Sequence, residues 1–506
     1  MTGSSHEERL AEISSPGWID GVFASLRARE PRLLINNDWV APHSGRTGET
    51  SDPSTGEVFA TYALADETDV DSAVHAAHKA QSGWARLTMD QRALCVARLA
   101  ELISERFNEI AAVDAIDAGL PVARMLNDLD GILRVCRAWP GLASSVRGQV
   151  LEGIPGLHYT RLAPYGVVAR IVAFNHPILF AVKGSLAALL AGNTIVLKPA
   201  DQTPMSALLL GDLVREAFPP GVFNVVTGHG DAGAALVTHP LVRRIAFTGS
   251  GATGRMIQES AARDQVSNVS LELGGKNPMI VFPDVSVADA ARNAVFGMNL
   301  RANQGQSCGS TSRVYVHREI HDEFVKELAT ALSELRLGPA YDVGVDMGPM
   351  ISSAAADRSR SYIQAGIDAG ATLVTGGLDD PRVPIEGHFV APTLFADVPA
   401  DSKIANEEIF GPVISLMAWD DYESVIEAAN DVSLGLTASV WTNDITKALQ
   451  TADRLETGYV WINESTTHYF GTPFGGWKDS GVGREESVEE IYSFLQLKSV
   501  HVKLPV

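Results

Sequence analysis

Of the three cysteines in the chain, Cys308 alone lies in a polar, glycine-flanked turn, NQGQSCGSTS, just ahead of the apolar run RVYV. Gly305 and Gly309 allow a substrate and the backbone to approach closely, and successive N–H groups in such a turn can hold an oxyanion. A thiolate attacks a carbonyl carbon readily and also leaves readily from a thioester. A lone cysteine is more often a small, inert core residue. Cys95 and Cys136, each in a helical pattern among Leu, Val and Arg, fit that description. Glu272 is the single acid inside the apolar strand of VSLELGGKNPMIVF, which runs on into Gly274 and Gly275. An unpaired buried carboxylate is costly, so this one has either a partner, such as nearby Lys276, or a task. Burial raises a carboxyl pKa, which suits Glu272 to take a proton from water or a thiol near neutral pH. Asn175 follows the strand GVVARIVAF and precedes His176 and Pro177. An amide fixed at the carboxyl end of a strand can donate to the oxygen of a tetrahedral adduct, although asparagine is also a common turn former. His176, before a proline, is read as structural.

A second set of residues suits a dinucleotide. Two strands end in glycine-rich turns, Gly228-His229-Gly230 and FTGSGATG, the latter holding Gly249, Ser250 and Gly254. Its glycines are spaced differently from the G-x-G-x-x-G fingerprint. A glycine turn that opens a helix still offers N–H groups and a positive dipole end to a pyrophosphate. Lys198, in IVLKPADQTP, ends another strand and can hold a ribose hydroxyl or a 2′-phosphate, with Asp201 nearby as an acceptor.

These residues require elements that bring strand ends together. From residue 165 onward the chain alternates apolar strands (GVVARIVAF, NTIVLKP, VFNVVTG, RRIAFTG) with helical patterns over 178–191 and 204–218. Strands joined by helices of this length imply a parallel sheet with right-handed crossovers. A further α/β region runs from 270 to about 475. Upstream, residues 1–30 are expected to form a loosely held arm. Short strands follow (LLINNDWV, SDPSTGEVFATY), then helices over 69–84 and 90–117, the second with Asp90 as its N-cap. The tail LQLKSVHVKL alternates like an exposed edge strand, which invites pairing with another subunit. At 506 residues the chain exceeds a single core.

Forty Lys+Arg against 61 Asp+Glu give a net charge of −21, which argues against nucleic-acid and anionic-membrane partners. The start, MTGSSHEERLAEISSPGW, lacks a signal-peptide core, and no uncharged run approaches a membrane span. Three cysteines, an odd number, provide no disulfide framework. A reduced, cytoplasmic protein is expected. No metal site is expected.

With these residues in place, the chain resembles the aldehyde dehydrogenase superfamily from about 33 to 502. The resemblance rests on PYGVVARIVAFNHP, GNTIVLKPADQTP, FTGSGATG, LELGGKNP, NQGQSCGS, EEIFGP and PFGGWKDSGVGRE, in that order. It implies an α/β fold with two Rossmann-like α/β domains and a small β-ribbon oligomerisation element. The arm would be 1–30, the dinucleotide-binding domain 31–145 and 166–273, the catalytic domain 274–478, and the oligomerisation element 146–165 and 479–506. It implies Cys308 as nucleophile, Glu272 as general base, and Asn175 as oxyanion donor beside the Cys308 N–H. For the cofactor it implies Lys198 on the adenosine ribose, Ser250 and the Gly249–Gly254 turn by the pyrophosphate, and Gly230 by the adenine. Glu408 and Phe410 would position the nicotinamide ribose and ring. The activity implied is oxidation of an aldehyde to the acid with NAD (NADP being the alternative), in a homodimer or homotetramer.

The sequence departs from the family pattern in several places. Asp201 stands where many NAD-using members carry Glu, and its charge disfavours a 2′-phosphate. Gly184 occupies a position where many carry Lys, with Lys183 one residue earlier. Ser307 precedes the nucleophile, and the loop NESTTHYFGTPF, with Glu464, His468 and Tyr469, is polar for a substrate-tunnel cap. Arg301 and Lys183 are either receptors for a substrate carboxylate or partners in salt bridges. Two rival readings use the same residues: a CoA-acylating dehydrogenase, against which a water-activating Glu272 argues, and a non-catalytic relative, which would be free to lose Cys308 or Glu272.

Overall fold

The computed structural model describes residues 4–263 and 265–504. Five parallel strands form the middle of an eight-stranded sheet, in the spatial order Phe223–Val225, Thr194–Lys198, Val167–Ile171, Val242–Thr248, Asn268–Glu272. Every residue of Val167–Ile171 and Thr194–Lys198 is buried, as near-continuous apolar strands must be when helices cover both faces of a parallel sheet. Helices Pro177–Leu190 and Met205–Ala217 pack Leu186, Leu189 and Leu210 on one face. On the other, Glu67–Arg86 and Gly230–Thr238 supply Val70, Val74 and Leu236. The chain builds outward in both directions from Val167–Ile171. A crevice therefore opens at the carboxyl ends, between this strand and Val242–Thr248, where ligands bind in open α/β sheets. Lys198, Thr248 and Glu272 are each the last residue of their strand.

A second, seven-stranded sheet is parallel except at Thr372–Thr375, and has Pro278–Val281 and Arg313–His317 near its middle. Its strand Arg313–His317 receives the Cys308 turn.

Two expectations need correction. Residues 6–28 form helices His6–Ile13 and Trp18–Ala28, which bury Ile13, Val22 and Leu26 in the main core, so the segment is docked. The single helix expected over 90–117 is two, Met89–Glu105 and Phe107–Ala118, broken at Arg106. Its first N-cap is Thr88, because Gln91 stands three residues on and completes a capping box that Asp90 would not.

The tail strand Leu495–Val502 pairs antiparallel with Leu157–Pro164 along its whole length, and its other edge is open among the described residues. Val150, Leu157, Leu497 and Val502 are exposed on this ribbon. The segment 479–506 also does something else. Gly481–Val482 adds an antiparallel strand beside Leu271–Glu272, and so closes the edge of the eight-stranded sheet next to Glu272. No described helix is long and apolar enough to cross a membrane.

Candidate active site

Cys308 sits in the turn between the short helix Leu300–Asn303 and strand Arg313–His317. Gln304 and Gly305 both have positive φ, 57° and 75°, and a side chain at Gly305 would press on the carbonyl of Gly411. The turn is locked from below by Asn277. Its Nδ2 donates to the carbonyls of Cys308 at 2.7 Å and Ser310 at 2.9 Å, while its Oδ1 accepts from the Thr437 N–H. A methyl group at Gly275 would overlap the Cys308 carbonyl, so LELGGKNP carries its second glycine for close approach. Burial first, then the nearby charges of Glu272 and Glu408, pushes the Cys308 thiol up to about 12. It is a thiol at rest.

Glu272 is buried, and its Oε2 has no hydrogen-bond partner. Burial raises its carboxyl well above the usual range, and the neighbouring charge of Glu485 adds to this. Arg484 and Arg170 oppose the shift, and Glu486 reinforces it. Such an orphaned buried acid is expensive unless a ligand or a reaction uses it.

Both residues line one cavity of about 910 Å³. It runs from Cys308, Glu272 and Asn175, past Phe174, Glu408 and Phe410, to Gly249, Ser250, Lys198, Asp201 and Gly230. Asn175 is buried between the strand Val167–Ile171 and the helix Pro177–Leu190. Phe410, held at φ 58°, meets Phe174 edge to face with ring centroids 5.8 Å apart. Glu408 accepts from the Gly275 N–H at 2.9 Å, and burial raises its carboxyl. At the far end, burial lowers the Lys198 ammonium against the pull of Asp201 and Asp231, and its Nζ donates to the Pro199 carbonyl. Asp201 is half exposed and lies 3.1 Å from His229 Nδ1. Ser250 Oγ accepts from the Thr253 N–H at the start of helix Gly251–Arg263.

Gly254 does not line the cavity: it sits one turn into its helix against Leu273, where a Cβ would fall 2.8 Å from that side chain. Its glycine serves helix-to-strand packing. Arg301 and Lys183 are already paired, with Asp346 and Glu486. His176 is likewise engaged. Its Nδ1 lies 2.7 Å from Asp128 and its Nε2 lies 3.0 Å from Asn303 Nδ2. The reading of the sequence missed Asn277, although it stands in the same motif as Glu272. It also missed Arg358, whose guanidinium holds the carbonyls of Glu408 and Ile409 at the cavity wall.

The aldehyde dehydrogenase family profile matches residues 39–500. An aldehyde dehydrogenase of Talaromyces stipitatus, tropH, is 43% identical over 481 residues, spanning 93% of each chain. A hydroxyisobutyraldehyde dehydrogenase of Mycolicibacterium austroafricanum is 42% identical over 481 residues, 94% of each. Among solved structures, the NAD+ complex of a Bacillus cereus aldehyde dehydrogenase superposes with a TM-score of 0.92 at 39% identity, covering 95% of this chain and 98% of that one. The chain belongs to the aldehyde dehydrogenase family, and its fold is that of the family. It is an NAD(P)-dependent, aldehyde-oxidising oxidoreductase.

Proposed function

We propose that the protein oxidises an aldehyde to the carboxylic acid with NAD, through a thioester on Cys308 that Glu272 helps to hydrolyse. The observation that carries this reading is the convergence of Cys308, Glu272 and Asn175 at one end of a cavity whose other end holds Lys198, Ser250 and Gly230. Such a cavity fits a dinucleotide: a helix N-terminus and a glycine turn face its middle. Lys198 and Asp201 would hold the adenosine ribose, Gly249 and Ser250 the pyrophosphate, Gly230 the adenine side, and Glu408 and Phe410 the nicotinamide end. Asp201 places a negative charge where a 2′-phosphate would lie, which favours NAD over NADP. When bound, the cofactor accepts the hydride from the carbon attached to Cys308.

The protein's own groups do the rest. In the fraction of enzyme with Glu272 ionised, the Cys308 proton passes to Glu272, directly or through water, and the sulfur bonds to the carbonyl carbon. Asn175 Nδ2 and the Cys308 N–H donate to the resulting oxyanion. After hydride loss the thioester remains, and Glu272 releases the Cys308 proton to solvent; it then takes a proton from water, the hydroxide adds, the C–S bond breaks to free the acid, and the proton held by Glu272 returns to the thiolate. The open ribbon edge at Leu495–Val502 supports assembly with further copies as a dimer or tetramer. Three unpaired cysteines suit a reducing compartment such as the cytoplasm.

The test is to supply aldehydes of aliphatic, aromatic, amino and carboxy type with NAD or NADP, with and without CoA. Reduced NAD and free acid, formed at a rate indifferent to CoA, are expected. Acyl-CoA as product, or no cofactor reduction with any aldehyde, would overturn the reading.

A further inference from the structure

Arg170 is a charge in an unlikely place. It lies in the fully buried middle strand Val167–Ile171, and its side chain is 1% exposed. Its Nη1 donates to Glu485 Oε1 at 2.9 Å and its Nη2 lies 3.5 Å from Thr248 Oγ1, while Nε has no partner. Room for the guanidinium comes from Gly184 on the covering helix Pro177–Leu190. A methyl group there would overlap the Arg170 head. An arginine placed under a sheet and admitted by a glycine needs a reason beyond packing, because burying an ion pair contributes little or nothing to stability.

The reason lies one strand over. Thr248, which Arg170 reaches, is the register partner of Glu272. The segment that carries Glu485 closes on Glu272 from the opposite side. Gly481 pairs with Glu272, Phe474 and Glu485 exchange both backbone hydrogen bonds, and a Cβ at Gly475 would lie 2.9 Å from Glu272 Oε1. Arg170 and Glu485 thus bracket the back of the carboxyl whose front faces the cavity.

We propose that the ion pair of buried Arg170 with part-buried Glu485, admitted by Gly184, is a positioning element that tunes Glu272 as the base. It rests on the reading of Glu272 given above. The charges around Glu272 are Glu485, Arg484, Arg170 and Glu486, with Cys308 across the cavity. Those around the pair add Arg244 and Glu490. Glu486 is itself held ionised by Lys183 and His468, which outweigh its burial. Glu490, buried and beside Glu485, is pushed up to about 8. Within this set Arg170 favours the ionised form of Glu272 and Glu485 disfavours it. The two members of one ion pair therefore pull the base in opposite directions.

That opposition gives a test a merely structural pair would fail. Profiles of kcat against pH would be measured for Arg170→Gln, Glu485→Gln, the double variant and Gly184→Ala. Arg170→Gln is expected to move the acid limb of kcat up by about one pH unit, a tenfold loss at low pH that recovers on the high-pH plateau. Glu485→Gln is expected to move the limb down, the double variant to return near the parent, and Gly184→Ala, by displacing the guanidinium, to follow Arg170→Gln. KM for cofactor and aldehyde should stay within twofold throughout. A uniform loss at every pH, or limbs that move the same way in both single variants, would overturn the proposal. If Arg170→Gln does not fold, Glu485→Gln and Gly184→Ala still predict limbs moving in opposite directions. Glu272→Gln serves as the control: an acid limb that persists in it would refute Glu272 as the titrating base and leave the pair without its object.

Discussion

The two ends of the cavity are built on different principles. At the Lys198 end the wall is glycine and small or apolar side chains (Gly230, Gly233, Ala234, Val237) with two helix starts, at Gly230 and Gly251, and its carboxylate, Asp201 beside His229, is half open to solvent. At the Cys308 end the wall is a set of ionisable groups: Glu272 and Glu408, and behind them the buried Arg170, Glu486 and Glu490 with the part-buried Glu485. The first end suits binding, because the buried Lys198 faces a carboxylate, Asp201, whose charge solvent screens. The second can do chemistry, because a proton moved among desolvated groups changes their energies by several-fold more than in water. The difference teaches where substitutions should matter, and by how much.

The largest expected effect is at the sulfur. Cys308→Ala should lower kcat by at least ~10⁴-fold while leaving NAD affinity within a few-fold, since groups that act as a covalent unit fail together. Single-turnover kinetics and a cofactor titration measure both. A variant retaining a tenth of the parent rate would end the comparison as drawn. Next is the base. Glu272→Gln should slow thioester hydrolysis by about 10²–10⁴-fold and let an acylated Cys308 accumulate, visible as added mass on the intact protein. The parent rate should rise with pH through the raised Glu272 pKa, because only its ionised form accepts a proton. Unchanged steady-state turnover in Glu272→Gln would move the base elsewhere. Third, Asn175→Ala should cost ~10²-fold or somewhat more in kcat with little change in KM for NAD, the signature of a donor used only when the oxyanion forms. A loss confined to KM would place Asn175 with the binding end instead.

How much of this contrast could be read before the structure depends on the range of each signal. The parallel sheet was legible, since Val167–Ile171 and Thr194–Lys198 are continuous apolar runs spaced by helix-length segments. Cys308 and Glu272 stood out as candidates because a glycine-flanked cysteine and a solitary acid in an apolar strand are local anomalies. Gly254 is harder to read, because a glycine in sequence reports backbone freedom or close approach without saying which neighbour approaches; among the described residues that neighbour is Leu273. The break at Arg106 escaped because neither Gly nor Pro marks it. The Arg170–Glu485 pair was out of reach, its partners lying 315 residues apart. What sequence hides at this site is the long-range pairing of charge, which is the property that distinguishes the chemical end from the binding end.

The smallest effect sharpens the comparison from the other side. Asp201 is 46% exposed in its side chain, so its repulsion of a 2′-phosphate acts largely through water and is worth about 1 kcal/mol. Asp201→Ser should therefore raise kcat/KM for NADP relative to NAD by about fivefold, and should leave kcat with NAD nearly unchanged. His229, 3.1 Å from Asp201 in the parent, would then be free to donate to the phosphate. Paired kcat/KM measurements with both cofactors check this. A shift of a hundredfold would mean that this end is as desolvated as the other, and the distinction between a screened binding end and a buried chemical end would fall.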